Sequence, residues 1–140
     1  MIFMLIDSNI LIYSLNKSSP KHRLAQKFIQ DHQSELVIAD QNIFETIRII
    51  THAKFPNSFC SKQGVVAVRA IADAITVIHP TLETKPIALE LIETYKITGA
   101  EVFDAYLVAT ALSNQITTIY TDNIKHLSKY IELTVINPFA

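Results

Sequence analysis

Met1–Tyr13 reads MIFMLIDSNILIY: an apolar run from Ile2 to Ile6, one aspartate, two small polar residues, then apolar residues again. So short a continuous run, closed by Asp-Ser-Asn, predicts a buried strand that delivers its carboxyl end to a turn or short helix. Strands of that continuously apolar kind belong to parallel sheets covered on both faces by helices. The aspartate is the difficulty. A charge set against a core strand is costly unless something pairs with it, so Asp7 is either a helix cap or part of a site.

Further along, ELVIAD (35–40), TVIHP (76–80), ITTIY (116–120) and LTVIN (133–137) have the same strand character. Between them, helical patterns run roughly over Lys21–His32, Gln41–His52, Ser61–Asp73, Pro86–Tyr95 and Phe103–Ser113. Loops near 16–20, 55–59 and 97–99 separate these segments, and no internal repeat is visible. The alternation predicts a three-layer α/β/α fold around a central parallel sheet of four to five strands. Ligands of such sheets bind outside the carboxyl ends of the strands, which is where Asp7 falls.

Composition agrees. A chain of 140 residues, 49% apolar, 18% charged and with two glycines, is expected to fold as a single helix-rich domain over 1–140. The formal net charge of -1 excludes the global basic field of a sequence-independent nucleic-acid binder. Cys60 is the only cysteine, so it has no internal disulfide partner and suits a reducing cytoplasm. The N-terminal apolar run lacks a basic flank and is cut by Asp7, too short for a signal peptide or a membrane span. A soluble, cytoplasmic protein without membrane contact is expected.

Three more acidic places bear on Asp7. In QNIFETIRIITHA (41–53), Ile43, Ile47 and Ile50 form a core stripe, and 100° per residue gathers Glu45, Arg48 and His52 on the opposite face. The ordinary reading is a solvated helix face. Because this helix begins just after the second strand, Glu45 can also reach the sheet's carboxyl edge. In EVFDAYLVATAL (101–112), Asp104 is surrounded by Phe103, Ala105, Tyr106, Leu107 and further apolar residues, so the helix reads as buried almost all round. A dipole interaction worth about 0.3–1 kcal/mol is modest against losing water there, so Asp104 needs a partner. Finally, ITTIYTDNIKHL (116–127) sets Thr121, Asp122 and Asn123 directly after a strand. Carboxylates gathered without matching Lys or Arg take up protons or bind a cation, and oxygen-only donors favour Mg²⁺ or Mn²⁺.

DSNILIY near the start, the early glutamate of the second-strand helix, DAYLVATAL, and YTDNIKHL after a strand together resemble the four acidic motifs of PIN-domain nucleases. The resemblance spans essentially the whole chain and is strongest to the VapC-type toxins of toxin-antitoxin pairs. It implies that Asp7, Glu45 and Asp104 hold metal, that Asn123 takes the fourth catalytic position with Asp122 as the alternative ligand, and that Thr121 supplies the last motif's hydroxyl. An amide at position 123 departs from a fully acidic set, since it coordinates without adding charge. Glu101 could support Asp104 from the same side of its helix, and Arg48 is the cation most suited to a phosphate.

The resemblance further implies hydrolysis of RNA phosphodiesters with one or two Mg²⁺ or Mn²⁺ ions, an antitoxin partner and a homodimer. Three other folds or roles place acids in a similar way. The DxDxT of HAD-type phosphatases would need an acid at Asn9 and a threonine at Leu11. A receiver domain would need a lysine after the last strand, where LTVINPFA has none. A catalytically silent PIN-like scaffold remains the alternative, because of Asn123.

Overall fold

The computed structural model describes residues 2–140. Its strands are β1 (Met4–Ile6), β2 (Leu36–Ala39), β3 (Thr76–Ile78), β4 (Thr118–Tyr120) and β5 (Thr134–Ile136). The helices are α1 (Ser8–Leu15), α2 (His22–His32), α3 (Asp40–Ile50), α4 (Ser61–Ala74), α5 (Thr84–Tyr95), α6 (Glu101–Ser113) and α7 (Ile124–Leu127). All strand pairs are parallel, in the order β3-β2-β1-β4-β5. The expected three-layer α/β/α architecture is therefore observed, at the upper end of the expected strand number.

Register explains the layers. Leu5 pairs with Val37 on one side and Ile119 on the other, and these three point into a core built with α5 and α6. Their neighbours Ile6, Leu36 and Ile38 point the other way, against Leu11, Phe28, Ile29, Ile43 and Ile71 of the first four helices. Side chains alternate between faces with a period of two, so a strand buried on both faces must be apolar throughout, as MLI and LVIA are. On the outer side of that layer, Gly64 lets α4 approach the end of α3: a Cβ there would sit 2.8 Å from Thr51 Cγ2.

Several boundaries differ from the sequence reading. The residues after Asp7 form eight residues of helix, because Asp7 caps α1 by accepting from the Ser8 amide at 2.8 Å. α5 begins before Pro86, since a helix's first turn has no use for the missing N–H. α6 begins at Glu101, and it is not buried all round: Phe103 faces solvent while Ala105 and Leu107–Ala111 are buried. α7 is a short helix that no periodicity announces.

The chain moves from β1 outward to β2 and β3, then returns to β4 on the far side of β1. The order reverses between β1 and β4. That reversal point opens a crevice at the carboxyl edge, where ligands of open α/β sheets bind.

Candidate active site

Asp7 directly follows β1 and Thr121 directly follows β4, so they flank the crevice. Asp7 N continues the ladder by donating to Tyr120 O at 2.9 Å, and Thr121 N does the same to Ile136 O at 2.9 Å. Two tripeptides then interlock across the gap. Thr121 Oγ1 donates to Asp7 Oδ2 at 2.9 Å, and accepts from Asn9 Nδ2 at 3.1 Å and from the Asn123 amide at 2.9 Å. Asn9 Oδ1 accepts from the Asp122 amide at 3.3 Å. The Thr121 hydroxyl is fully buried and fully used. Asp7 is thus a helix cap whose second oxygen is held by Thr121 at the crevice.

Glu45 comes from α3 and Asp104 from the first turn of α6, on opposite faces of the sheet. The Ser8 hydroxyl, buried at the start of α1, donates to Glu45 Oε1 and so ties α3 to the aspartate beside it. Asn42 steadies the start of α3, its Oδ1 accepting from the Ala39 amide at 2.9 Å. Between Glu45 and Asp104 lies a cavity of about 520 Å³, lined also by Gln41, Phe44, Arg48 and Phe103.

The electrostatics follow from this crowding. Burial pushes the Asp7 carboxyl up to about 6, with the charges of Glu45 and Asp104 adding to the rise and the Thr121 and Ser8 hydrogen bonds opposing it. Burial, then the Glu45 charge, also raises Asp104. None of the three is ion-paired with Lys, Arg or His among the described residues. Arg48 lines the same cavity and the charges of His126 and Lys129 reach Asp104, but none of these pairs with the three acids, and oxygen donors so placed suit a hard divalent ion. Among the described residues no three of His, Cys, Asp and Glu close a ready-made cage. An ion held there would keep most of its ligands as water, as hard divalent ions bound through one or two carboxylates do.

The other sequence candidates separate. Asp122 turns away from the acids: its Oδ2 accepts from Lys21 Nζ at 2.5 Å and Tyr13 OH at 2.7 Å, its Oδ1 from Asn137 Nδ2 at 3.1 Å. The Lys21 hydrogen bond, then that of Tyr13, holds its carboxyl below the usual range. Its backbone amide serves the crevice while its side chain fastens α1, α2 and the C-terminal segment. Asn123, next along, contributes its amide to Thr121. Glu101 accepts from His126 Nδ1 at 2.7 Å and Lys129 Nζ at 3.3 Å, so its charge is already met. Arg48 is exposed on the cavity wall, as its place on the polar face of α3 predicts.

Sequence reasoning passed over Ser8, Asn9 and Phe44, and read Phe103 as core. A small hydroxyl and an amide following the first aspartate were visible as turn formers only. Their partners lie more than thirty residues away, Glu45 for Ser8 and Thr121 for Asn9.

Fold and site define an α/β protein that gathers unpaired acids at the switch point of a parallel sheet. A model of the PIN domain matches residues 4–130, and the chain belongs to the PIN domain family. Among solved structures, VapBC-1 from nontypeable Haemophilus influenzae is similar at 18% identity, with all of both chains covered and a TM-score of 0.74. A toxin-antitoxin complex from Klebsiella pneumoniae is similar at 20% identity, covering 96% of this chain and 97% of that one, with a TM-score of 0.68. VapC20 from Mycobacterium tuberculosis, described as a sarcin-ricin loop cleaving toxin, is similar at 16% identity, with 93% and 98% covered and a TM-score of 0.69. No curated protein matches the chain. Among the described residues no helix is long and apolar enough to cross a membrane.

Proposed function

We propose that this protein is a metal-dependent endoribonuclease, the toxin of a toxin-antitoxin pair. The observation that carries the reading is the unpaired trio Asp7, Glu45 and Asp104 at the carboxyl edge, with Asp7 raised to about 6 by burial and like charge. Membership of the PIN domain family and the likeness in fold to toxins of toxin-antitoxin complexes support it. The three acids would hold Mg²⁺ or Mn²⁺, with the Asn123 amide oxygen as a neutral fourth donor. A bound ion of this kind lowers the pKa of a water and neutralises charge on phosphate oxygens.

The chain's own residues supply geometry. Thr121 fixes one oxygen of Asp7 and the Ser8 amide the other, so the carboxylate cannot rotate. The Ser8 hydroxyl orients Glu45. Arg48, on the wall of the same cavity, binds a phosphate of the RNA strand. The Ser8 hydroxyl is committed to orienting Glu45, so in this reading water is the attacking group. An antitoxin would cover this crevice, and a second copy of the chain would complete a homodimer.

Purified protein incubated with total cellular RNA and Mg²⁺ or Mn²⁺ tests the reading. Discrete cuts, absent with EDTA and with Asp7→Asn or Asp104→Asn, are expected. The second reading, a silent PIN-like scaffold, draws on Asn123 as an amide at the fourth position. Calorimetry separates the two where no RNA is cut: heat on Mn²⁺ addition keeps the enzyme with another substrate, and no heat leaves the scaffold.

A further inference from the structure

We propose that Phe44 and Phe103 are stacking platforms for the unpaired bases next to the phosphate that is cut, an inference that rests on the ribonuclease reading above. Each phenylalanine immediately precedes a site acid, in FE at 44–45 and FD at 103–104. Large rings normally seek the core, yet Phe44 is 71% and Phe103 67% exposed. Neither meets another aromatic ring among the described residues. Both line the 520 Å³ cavity that holds Glu45, Asp104 and Arg48, and both also line an apolar cavity of about 420 Å³ beside it, so each ring stands between the acids and apolar surface.

The fold sets their spacing. Gln41 Nε2 on α3 donates to the backbone oxygen of Phe103 on α6 at 2.9 Å, bridging the two helices that carry the rings. Arg48 stands four residues after Phe44 and so on the same side of α3. A purely apolar protein segment in this cavity would strip water from Glu45, Asp104 and Arg48 without replacing it. A nucleotide brings a flat base to each ring and a phosphate to the guanidinium. Stacking on a side chain requires a base already free of its neighbours, so the substrate class is a loop or single strand rather than a duplex. Stacking is tolerant of base identity, so the platforms set strand conformation more than sequence.

The test uses the RNA segment cut in the assay above, resynthesised with an abasic nucleotide on either side of the cut. Binding is measured to Asp7→Asn protein, and cleavage to wild type. Phe44→Leu and Phe103→Leu should each weaken binding about 5- to 150-fold, the value of one stacked base, and raise KM with little change in kcat. Tyr at either position should restore both. The abasic RNA should lose as much with wild-type rings, and a Leu variant should lose nothing further on it. Melting temperatures should stay at the wild-type value, because the rings are exposed.

Leu variants that bind and cut like wild type overturn the stacking assignment and leave the ribonuclease standing. Leu variants that keep RNA affinity but lose dimer or antitoxin binding also overturn it, in favour of a protein-docking surface. Wild-type protein that cuts no RNA overturns the ribonuclease reading, and the platforms fall with it.

Discussion

Asp7→Asn should make this protein more stable. The Asp7 carboxyl stands at about 6 in the folded chain against an ordinary 3.8, a difference of about two pH units. At 1.36 kcal/mol per unit, holding the ionised form at this place costs about 3 kcal/mol. The sign follows from proton binding. Between pH 3.8 and 6 the folded state holds a proton that the unfolded chain has released, so stability falls as pH rises through that window and the penalty is complete above it. Asparagine keeps the shape and the cap to the Ser8 amide but carries no charge. Its amide nitrogen would face Thr121 Oγ1, which already accepts from Asn9 and Asn123, a mismatch of about 1 kcal/mol. The net gain is about 2 kcal/mol at pH 7.5, or about 7 °C in Tm for a domain of this size. Thermal melts of wild type and variant from pH 4.5 to 7.5 in EDTA are the assay. The advantage should shrink towards pH 4.5, and Mg²⁺ at ten times its Kd should return about 1.4 kcal/mol to wild type alone. A variant no more stable at pH 7.5, or a difference flat with pH, would mean that the ionised Asp7 carries no such penalty.

Thr121→Val strands the donors of Asn9 and Asn123 and frees one oxygen of Asp7, so denaturant melts should find about 2 kcal/mol lost, and RNA cleavage should fall about 10- to 100-fold. Asp122→Asn removes the charge that faces Lys21 and leaves one acceptor oxygen in place of two; since Lys21 is partly exposed, the loss should be about 1 kcal/mol, with kcat for RNA unchanged. The stabilisation from Asp122 should be present above pH 3.8 and disappear as pH falls through its depressed folded value, which urea melts at pH 2–5 would follow. Tyr130→Phe should be neutral to about 1 kcal/mol stabilising in urea melts, because that buried hydroxyl has no hydrogen-bond partner among the described residues.

The strands and the order of layers were legible because burial on both faces leaves only apolar residues at those positions, and runs such as LVIA carry that constraint visibly. The acids were legible for the same reason inverted: a carboxylate ending a strand that must be apolar stands out. Helix ends were read less well. α6 starts at Glu101 although Ala100 offers no side-chain cap, so the turn at Gly99, with φ at 64°, sets the start. Neither Ser8 nor Asn9 could be recognised, since each gains its meaning from a partner brought near by the parallel order of β1, β2 and β4. The choice between Asp122 and Asn123 was likewise beyond reach of local pattern. Where the Asp122 side chain goes depends on Lys21, a hundred and one residues away in sequence. Phe103 looked like core because helical periodicity cannot tell a buried ring from one left at the mouth of a cavity.

One regularity separates the site acids from the others along this edge. Asp40 meets His79 at 2.5 Å, Glu101 meets His126 and Lys129, and Asp122 meets Lys21. Each has a basic partner supplied by the chain. Asp7, Glu45 and Asp104 have none among the described residues, although a basic side chain at any of the three would relieve the other two. A fold serving stability alone would use that solution, as it does three times nearby. On the function proposed above, the unpaired trio is where a cation from outside the chain would bind. Glu45→Lys supplies it from inside. With Asp7 and Asp104 both within its field, the lysine should bring their carboxyls back towards the ordinary range, a gain at pH 7.5 that the lost Ser8–Glu45 hydrogen bond offsets in part. The same variant should bind no Mn²⁺ in calorimetry and cut no RNA. A Glu45→Lys protein that is less stable than wild type while still binding Mn²⁺ would mean that the three acids do not share one field, and that the cation is held elsewhere.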